Sequence, residues 1–207
     1  MKRVFGLCLA VVLTACGEME ATEEQAAELQ TQESELLQCG IGCSSGFHAV
    51  SYSCNFSCGS CTTFNNQTDC QPNSGSSFNN CGIGCPGGYH STAYSFNSSC
   101  RPSSSSGIDN NQSTCGVDSG SSFNTCGIGC PGGYHPTAYS FNSSCRPSSS
   151  SGIDNNQSTC GVNSGSSFNT CGIGCPSGYR ALSFSFNSSC RPSSSSGTSN
   201  NQTFCSL

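Results

Sequence analysis

The sequence predicts a small disulfide-rich β protein, built as a tandem array of four cystine-stapled modules of 35–45 residues. A cysteine pattern, C-x3-C-x14-C-x14-C, recurs with a period of 45 residues. The repeated region has few large apolar side chains, so a hydrophobic core alone would not stabilise a module of this size. Pro-Gly-Gly turn signals followed by alternating apolar residues indicate short strands.

The chain begins with a short basic and apolar leader. The apolar stretch Val4–Leu13 has the length of a signal-peptide core and is too short to span a bilayer, which takes about 20 residues. The boundary Leu13-Thr14-Ala15-Cys16 resembles the lipobox of bacterial lipoproteins. The resemblance implies a signal peptide over 1–15 and acylation of Cys16, which would anchor the chain in a lipid bilayer. Because Gly17 follows instead of Asp, it also implies sorting to the outer membrane.

Residues 16–38 are predicted to be the lipidated cysteine and an acidic, flexible tether. Residues 17–38 hold seven of the eleven acidic residues of the chain and contain no aromatic side chain. Such a segment cannot bury enough apolar surface to fold alone, and its charges keep it extended.

Four copies of the cysteine pattern follow this tether. Repeats 2 and 3 are identical except that Ser91 becomes Pro136, whereas repeat 4 keeps the spacing and repeat 1 is a divergent relative. If each repeat closes at its fourth cysteine, residues 116–125 and 161–170 are links. The repeats are predicted to span Cys39–Cys70, Cys81–Cys115, Cys126–Cys160 and Cys171–Cys205.

The cysteines of the repeats are expected to form nine disulfides, all within repeats. Repeats 2, 3 and 4 hold four cysteines each and repeat 1 holds six. The extra pair, Cys54 and Cys61, is expected to be bonded together, with Cys54 replacing the core aromatic that the other repeats carry at the position of Phe96. The disulfide cysteines are Cys39, Cys43, Cys54, Cys58, Cys61, Cys70, Cys81, Cys85, Cys100, Cys115, Cys126, Cys130, Cys145, Cys160, Cys171, Cys175, Cys190 and Cys205.

The pairing within a repeat stays open between two patterns. A bond inside Cys-Gly-Ile-Gly-Cys is disfavoured, because in a strand its two Cα atoms would lie ~13 Å apart, beyond the ~7 Å limit of a disulfide. The remaining alternatives are first-to-third with second-to-fourth, or first-to-fourth with second-to-third. A compartment outside the inner membrane permits either pattern.

Each repeat is predicted to contain a turn, a strand and a polar loop. Pro86-Gly87-Gly88 is a turn signal, and the alternation of Tyr94, Phe96 and Cys100 places these side chains on one face of a strand. Ile83 and the aromatic residues are expected to form a small core. The predicted loops, each beginning RPSSSSG, are Arg101–Gln112, Arg146–Gln157 and Arg191–Gln202.

An aromatic residue followed by His or Arg after each turn is the main candidate for binding. An aromatic face with neighbouring hydrogen-bond donors fits a sugar ring or a peptide, although such rings also serve as the lid of a small core. The histidines are interpreted as surface residues, because repeat 4 has Arg at their position. The candidate pairs are Phe47-His48, Tyr89-His90, Tyr134-His135 and Tyr179-Arg180.

Catalysis, metal binding and nucleic-acid binding are disfavoured. The repeats contain no Glu, and no Ser lies in a G-x-S-x-G elbow, so no catalytic residue is assigned. C-x3-C spacing allows the alternative of zinc-binding repeats with four cysteine ligands each, but the compartment oxidises thiols, so no metal or cofactor is expected. Four Asp and four Arg leave the repeats neutral, which argues against nucleic acid. Two Asn-x-Ser/Thr sequons per repeat are attributed to composition.

The sequence therefore predicts a non-enzymatic, membrane-tethered lipoprotein with its repeats outside the cytoplasm. A multivalent binding or adhesion module is favoured, since linked weak sites gain avidity. Polysaccharide or other envelope and matrix components are the expected partners. The alternative is a passive structural coat or spacer.

Overall fold

The computed structural model describes residues 36–61, 64–103, 107, 109–148, 152, 154–193, 197 and 199–207. The signal peptide, Cys16 and most of the predicted tether lie outside these ranges. In the described part, four three-stranded antiparallel sheets and four short 3₁₀ helices make up the regular structure. The predicted array of disulfide-rich β modules is confirmed. In the same ranges, no helix is long and apolar enough to cross a membrane.

All four repeats share one order of elements, namely two strands, a 3₁₀ helix and a third strand. The third strand lies in the centre of each sheet. The strands are β1 (Leu36–Cys39), β2 (Phe47–Ser53), β3 (Gln67–Pro72), β4 (Ser77–Cys81), β5 (Tyr89–Ser95), β6 (Gln112–Val117), β7 (Ser122–Cys126), β8 (Tyr134–Ser140), β9 (Gln157–Val162), β10 (Ser167–Cys171), β11 (Arg180–Ser185) and β12 (Gln202–Ser206). The 3₁₀ helices are Phe56–Cys58, Ser98–Cys100, Ser143–Cys145 and Ser188–Cys190.

The first strand of each sheet precedes the first cysteine, which corrects the predicted boundaries. The predicted link 116–125 contains the end of β6 and most of β7, and residues 161–170 likewise contain the end of β9 and most of β10. The last residues of the predicted tether, from Leu36 onward, belong to β1. Of these edge strands, β4, β7 and β10 are rich in polar Ser, Asn and Thr, which antiparallel sheets tolerate because one face can be solvated. Their polar sequence concealed them.

Two disulfides fasten each sheet to its loops. Of the two alternatives, first-to-third with second-to-fourth occurs in all four repeats, and Cys54 is bonded to Cys61 as predicted. This bonding uses the thiolates that the alternative zinc site would need. The pairs are Cys39–Cys58, Cys43–Cys70, Cys54–Cys61, Cys81–Cys100, Cys85–Cys115, Cys126–Cys145, Cys130–Cys160, Cys171–Cys190 and Cys175–Cys205.

Cystines and hydroxyl groups, not large apolar side chains, fill the interior of each repeat. The expected core residues Ile83 and Phe96 are both exposed, so that prediction is wrong. The predicted strand face does not extend to Cys100, because β5 ends at Ser95 and Cys100 lies in a 3₁₀ helix. Cys54 therefore replaces an exposed ring. The fully buried side chains are Cys70, Cys100, Cys115, Cys145, Cys160, Cys190, Cys205, Thr68, Thr203, Ser113 and Ser158.

A buried hydroxyl holds the Cys-Gly-Ile-Gly-Cys loop of each repeat. In repeat 2, Ser113 Oγ donates to the carbonyl of Gly82 at 2.9 Å and accepts from the amide of Gly84 at 2.8 Å. Both glycines have positive φ, 105° and 120°, which favours glycine at these positions. The loop curves around the hydroxyl and leaves its Ile exposed. The same two bonds are made by Thr68, Ser158 and Thr203.

Candidate functional site

The same junction joins each repeat to the next: the second strand of one repeat contacts the first strand and the 3₁₀ helix of the following one. The histidine of the turn is buried there and stacks on a phenylalanine of the next repeat, with ring centroids 3.9 Å apart. The predicted surface position of the histidines is therefore wrong, because the next repeat covers them. The stacked pairs are His48–Phe78, His90–Phe123 and His135–Phe168.

Hydrogen bonds to a following side chain orient each imidazole. His135 Nδ1 donates to Asn163 Oδ1 at 2.9 Å, and burial lowers the pKa of His135 despite the opposing effect of this bond. In repeat 2 the partner of His90 is a carboxylate, Asp118, also at 2.9 Å. Gly116 leaves room for the ring, since a Cβ there would lie 3.4 Å from His90 Nε2.

The turn tyrosines complete the aromatic stack. Each is half-buried and packs at 4.6 Å, in a tilted arrangement, against the phenylalanine that the preceding histidine contacts. The hydroxyl of Tyr89 donates to the carbonyl of Gly75 at 3.2 Å. The aromatic faces that were predicted to bind a sugar ring are thus partly covered by packing contacts within the junction. The equivalent residues are Tyr134 and Tyr179.

Polar side chains also close each junction against the backbone. At the first junction, Asn80 Oδ1 accepts from the amide of Ala49 at 3.2 Å. In the third, Thr170 Oγ1 donates to the carbonyl of Pro136 at 3.3 Å, so that proline is tolerated at this strand edge. A further set of asparagines donates to a carbonyl of the next repeat at 2.6–2.7 Å, namely Asn65 to Arg101, Asn110 to Arg146 and Asn155 to Arg191.

A shallow groove of about 350 Å³ lies at each of the first two junctions. The second groove is lined by Tyr89 and His90 from repeat 2 and by Ile128 and Pro131 from repeat 3. The first has Phe47, His48, Ile83 and Pro86 at the same positions. None of the residues lining either groove has a permanent charge. We call these surfaces the junction grooves. They offer apolar contacts and backbone hydrogen bonds to a neutral ligand.

The structure brings only some of the predicted binding residues together. Tyr89 and His90 line one groove, and Tyr134 and His135 occupy the equivalent positions at the third junction, facing repeat 4. Tyr179 packs within that third junction, on the repeat 4 side. Arg180 stands apart, because it has the histidine position in the last repeat and is exposed.

The exposed isoleucines were missed as site residues, since an apolar residue in a short repeat was interpreted as core. Their recurrence between two glycines in every repeat was the available signal. Comparison of the chain with protein-family models, curated proteins and solved structures finds no match.

Proposed function

We propose that the protein is a non-enzymatic, multivalent binding module whose sites are the junction grooves. The observation that carries this proposal is the recurrence of one groove, with an aromatic residue and a histidine on one side and an exposed Ile and a Pro on the other. The third junction has Tyr134, Ile173 and Pro176 at the same positions. Four repeats therefore provide three sites, and linking weak sites raises the avidity for a polymeric ligand.

The ligand that best fits is a neutral polysaccharide of the envelope or the surrounding matrix. The grooves are shallow and uncharged, and their spacing is fixed by the repeats. The apolar faces of sugar rings would pack on Ile128 and Pro131, while sugar hydroxyls would bond to backbone groups of the glycine-rich loop. Recurrent sites along the array suit a recurrent ligand.

The groove isoleucines allow a test with a control inside the chain. The Ile83→Ser, Ile128→Ser and Ile173→Ser variants should each weaken retention on immobilised polysaccharide, and the triple variant should abolish it. Ile41→Ser is the matched control. Ile41 is equally exposed in the same loop, but in the described residues no repeat precedes repeat 1, so Ile41 does not line a junction between two repeats. Folding is checked by disulfide mapping, since an exposed side chain contributes little to stability.

A passive coat or spacer is the alternative. It is favoured by the use of the histidine and aromatic rings in packing at every junction. Absence of binding to every polysaccharide tested would support this alternative, whereas an equal effect of Ile41→Ser and Ile128→Ser would contradict the junction grooves as the binding sites.

We also propose that acylated Cys16 tethers the array outside the cytoplasm, at the outer membrane. Nine disulfides support an oxidising compartment. Metabolic labelling with a palmitate analogue should mark the wild-type chain and leave Cys16→Ala unlabelled. Label that persists in Cys16→Ala would refute the assignment.

A further inference from the structure

In the described residues, strand β11 of repeat 4 exposes an apolar face along its whole length. Every residue of β11 is exposed, with Leu182 at 54% and Phe184 at 49%. In repeats 2 and 3 the position of Leu182 is Thr92 and Thr137, and the position of Phe184 is a tyrosine. At these two positions β11 is thus more apolar than the equivalent strands of repeats 2 and 3.

The first repeat shows the same trend at the opposite end. Phe56 is 82% exposed and takes the position of Ser98, the first residue of the 3₁₀ helix in repeat 2. Leu36 is exposed at the position of Phe78, the ring that receives His48 at the first junction. Both residues lie on the elements that contact the preceding repeat at every internal junction.

Such ends are unusual for an array of repeats. Terminal repeats generally present a polar outer face, which keeps an array soluble, and exposed apolar edge strands tend to pair with other chains. Here the two exposed faces are the two halves of one junction. The β11 face corresponds to the half contributed by repeats 1–3, and the face with Leu36 and Phe56 corresponds to the half contributed by repeats 2–4.

We propose that the chain associates head to tail, with the β11 face of one copy docked on the Leu36 and Phe56 face of a second copy. This contact would continue the existing junction across two chains. Repeat 4 contains Arg180 on β11 and no acidic residue, so two copies of this face carry like charge. Tail-to-tail docking would instead bring two copies of Arg180 together. A heterologous contact of this kind forms open chains unless its rotation closes a ring.

Sedimentation velocity of the full mature chain, carrying Cys16→Ser to remove the proposed lipid, tests this association. The sedimentation coefficient should rise with protein concentration. Leu182→Thr with Phe184→Tyr, and separately Phe56→Ser, should each raise the dissociation constant about tenfold or more, because exposed apolar contacts are lost. These replacements are the residues of internal repeats at the same positions.

Mixing the Leu182→Thr/Phe184→Tyr variant with the Phe56→Ser variant distinguishes head-to-tail from tail-to-tail association. Each variant keeps one intact face, so an equimolar mixture should form pairs and stop there. Non-reducing peptide maps with nine disulfides show that each variant is folded. A wild-type chain that stays monomeric at all concentrations would overturn the proposal. Association that is lost with Leu182→Thr and Phe184→Tyr but unaffected by Phe56→Ser would also overturn it, in favour of a tail-to-tail dimer.

Discussion

A single hydroxyl replaces a conventional core residue in each repeat. Ser113 and Ser158 serve repeats 2 and 3, and Thr68 and Thr203 serve repeats 1 and 4. All four are fully buried and make both bonds to the glycine-rich loop. Because unpaired buried polar groups are costly, the hydroxyl and the two loop groups stabilise one another.

Ser113→Ala should destabilise repeat 2 by about 1–3 kcal/mol, because the carbonyl of Gly82 and the amide of Gly84 lose their buried partner. Ser113→Thr is the matched control, since repeats 1 and 4 carry Thr at this position. Amide hydrogen exchange of the Gly84 loop in the oxidised chain measures the effect. An equal increase in exchange for both variants would show that the volume of the side chain at position 113, and not its hydrogen bonds, holds the loop in its conformation.

The buried imidazole of His135 makes the third junction sensitive to acid. Burial lowers the pKa of His135 in the folded chain below its unfolded value of 6.5, so the folded state favours the neutral ring. This contribution to stability is complete above about pH 6.5 and decreases as the pH falls toward the folded pKa. Denaturant unfolding should therefore show a loss of stability as the pH falls below about 6.5.

Asn163→Asp provides the control for this prediction. It places beside His135 the carboxylate that Asp118 provides beside His90. A negative charge stabilises the imidazolium ion and should raise the pKa of His135. The acid-induced loss of stability should then be smaller, and an NMR titration of the His135 ring measures the pKa directly. An unchanged titration would contradict the predicted coupling.

The residue pattern identified part of the candidate site but not its burial. The turn aromatic and its neighbouring histidine recur visibly in the sequence. The phenylalanine that covers His90 is Phe123, which lies 33 positions later in a polar stretch without a strong strand pattern. Ile128 was interpreted as core because the sequence does not reveal that a hydroxyl occupies the space inside its loop. Long-range covering contacts of this kind are not encoded in local spacing.

At the scale of elements, asparagine pairs fix the ends of the second strand and the 3₁₀ helix. Asn97 Oδ1 accepts from the amide of Ser99 at 3.0 Å and caps the helix. Asn111 Oδ1 accepts from the amide of Asn97 at 2.7 Å, and its Nδ2 donates to the carbonyl of Asn97 at 2.9 Å. The two sequons of each repeat therefore have a structural role. Composition alone does not account for them.

The stacked rings should hold neighbouring repeats together. Phe123→Ala removes the ring between His90 and Tyr134 and should destabilise the second junction by about 1–3 kcal/mol, through lost apolar burial and ring contacts. Phe141→Ala is the matched control, because Phe141 lies in the same repeat but is exposed. NMR should show that the His90 ring protons lose their upfield ring-current shift in Phe123→Ala. Denaturant unfolding measures the accompanying loss of stability. Equal destabilisation by both variants would contradict this assignment.

At the scale of the molecule, local cross-links and junctions between neighbours replace a common core. The cysteine spacing was sufficient to predict the array and its nine disulfides, because covalent pairing leaves a regular signature in the sequence. The choice between the two pairing patterns needed the structure. It depends on the 3₁₀ helix that brings Cys100 beside Cys81 at a Cα separation of 5.0 Å. That helix has no apolar periodicity to reveal it.

Disulfide reduction, more than heating, should unfold the array. The fully buried side chains are cysteines, serines and threonines, so little apolar burial remains once the sulfurs are reduced. The oxidised chain should keep its strand signal by circular dichroism on heating, and reductant at room temperature should abolish it. The stability that each disulfide contributes should increase with the length of the loop it closes. The cysteines of the Cys85–Cys115 bond are 30 positions apart in the sequence, whereas those of the Cys54–Cys61 bond are only 7 apart.

Removing the Cys85–Cys115 pair should therefore cost about 4 kcal/mol and removing the Cys54–Cys61 pair about 2 kcal/mol, in the chain-entropy description of disulfides. Double alanine variants of each pair, compared by denaturant unfolding without reductant, measure this ratio. Repeat 1 retains two further disulfides after the loss of Cys54–Cys61, so it should stay folded. A fully reduced chain that keeps its strand signal and melts cooperatively would show instead that the junctions, with their stacked rings, stabilise the fold without the cystines.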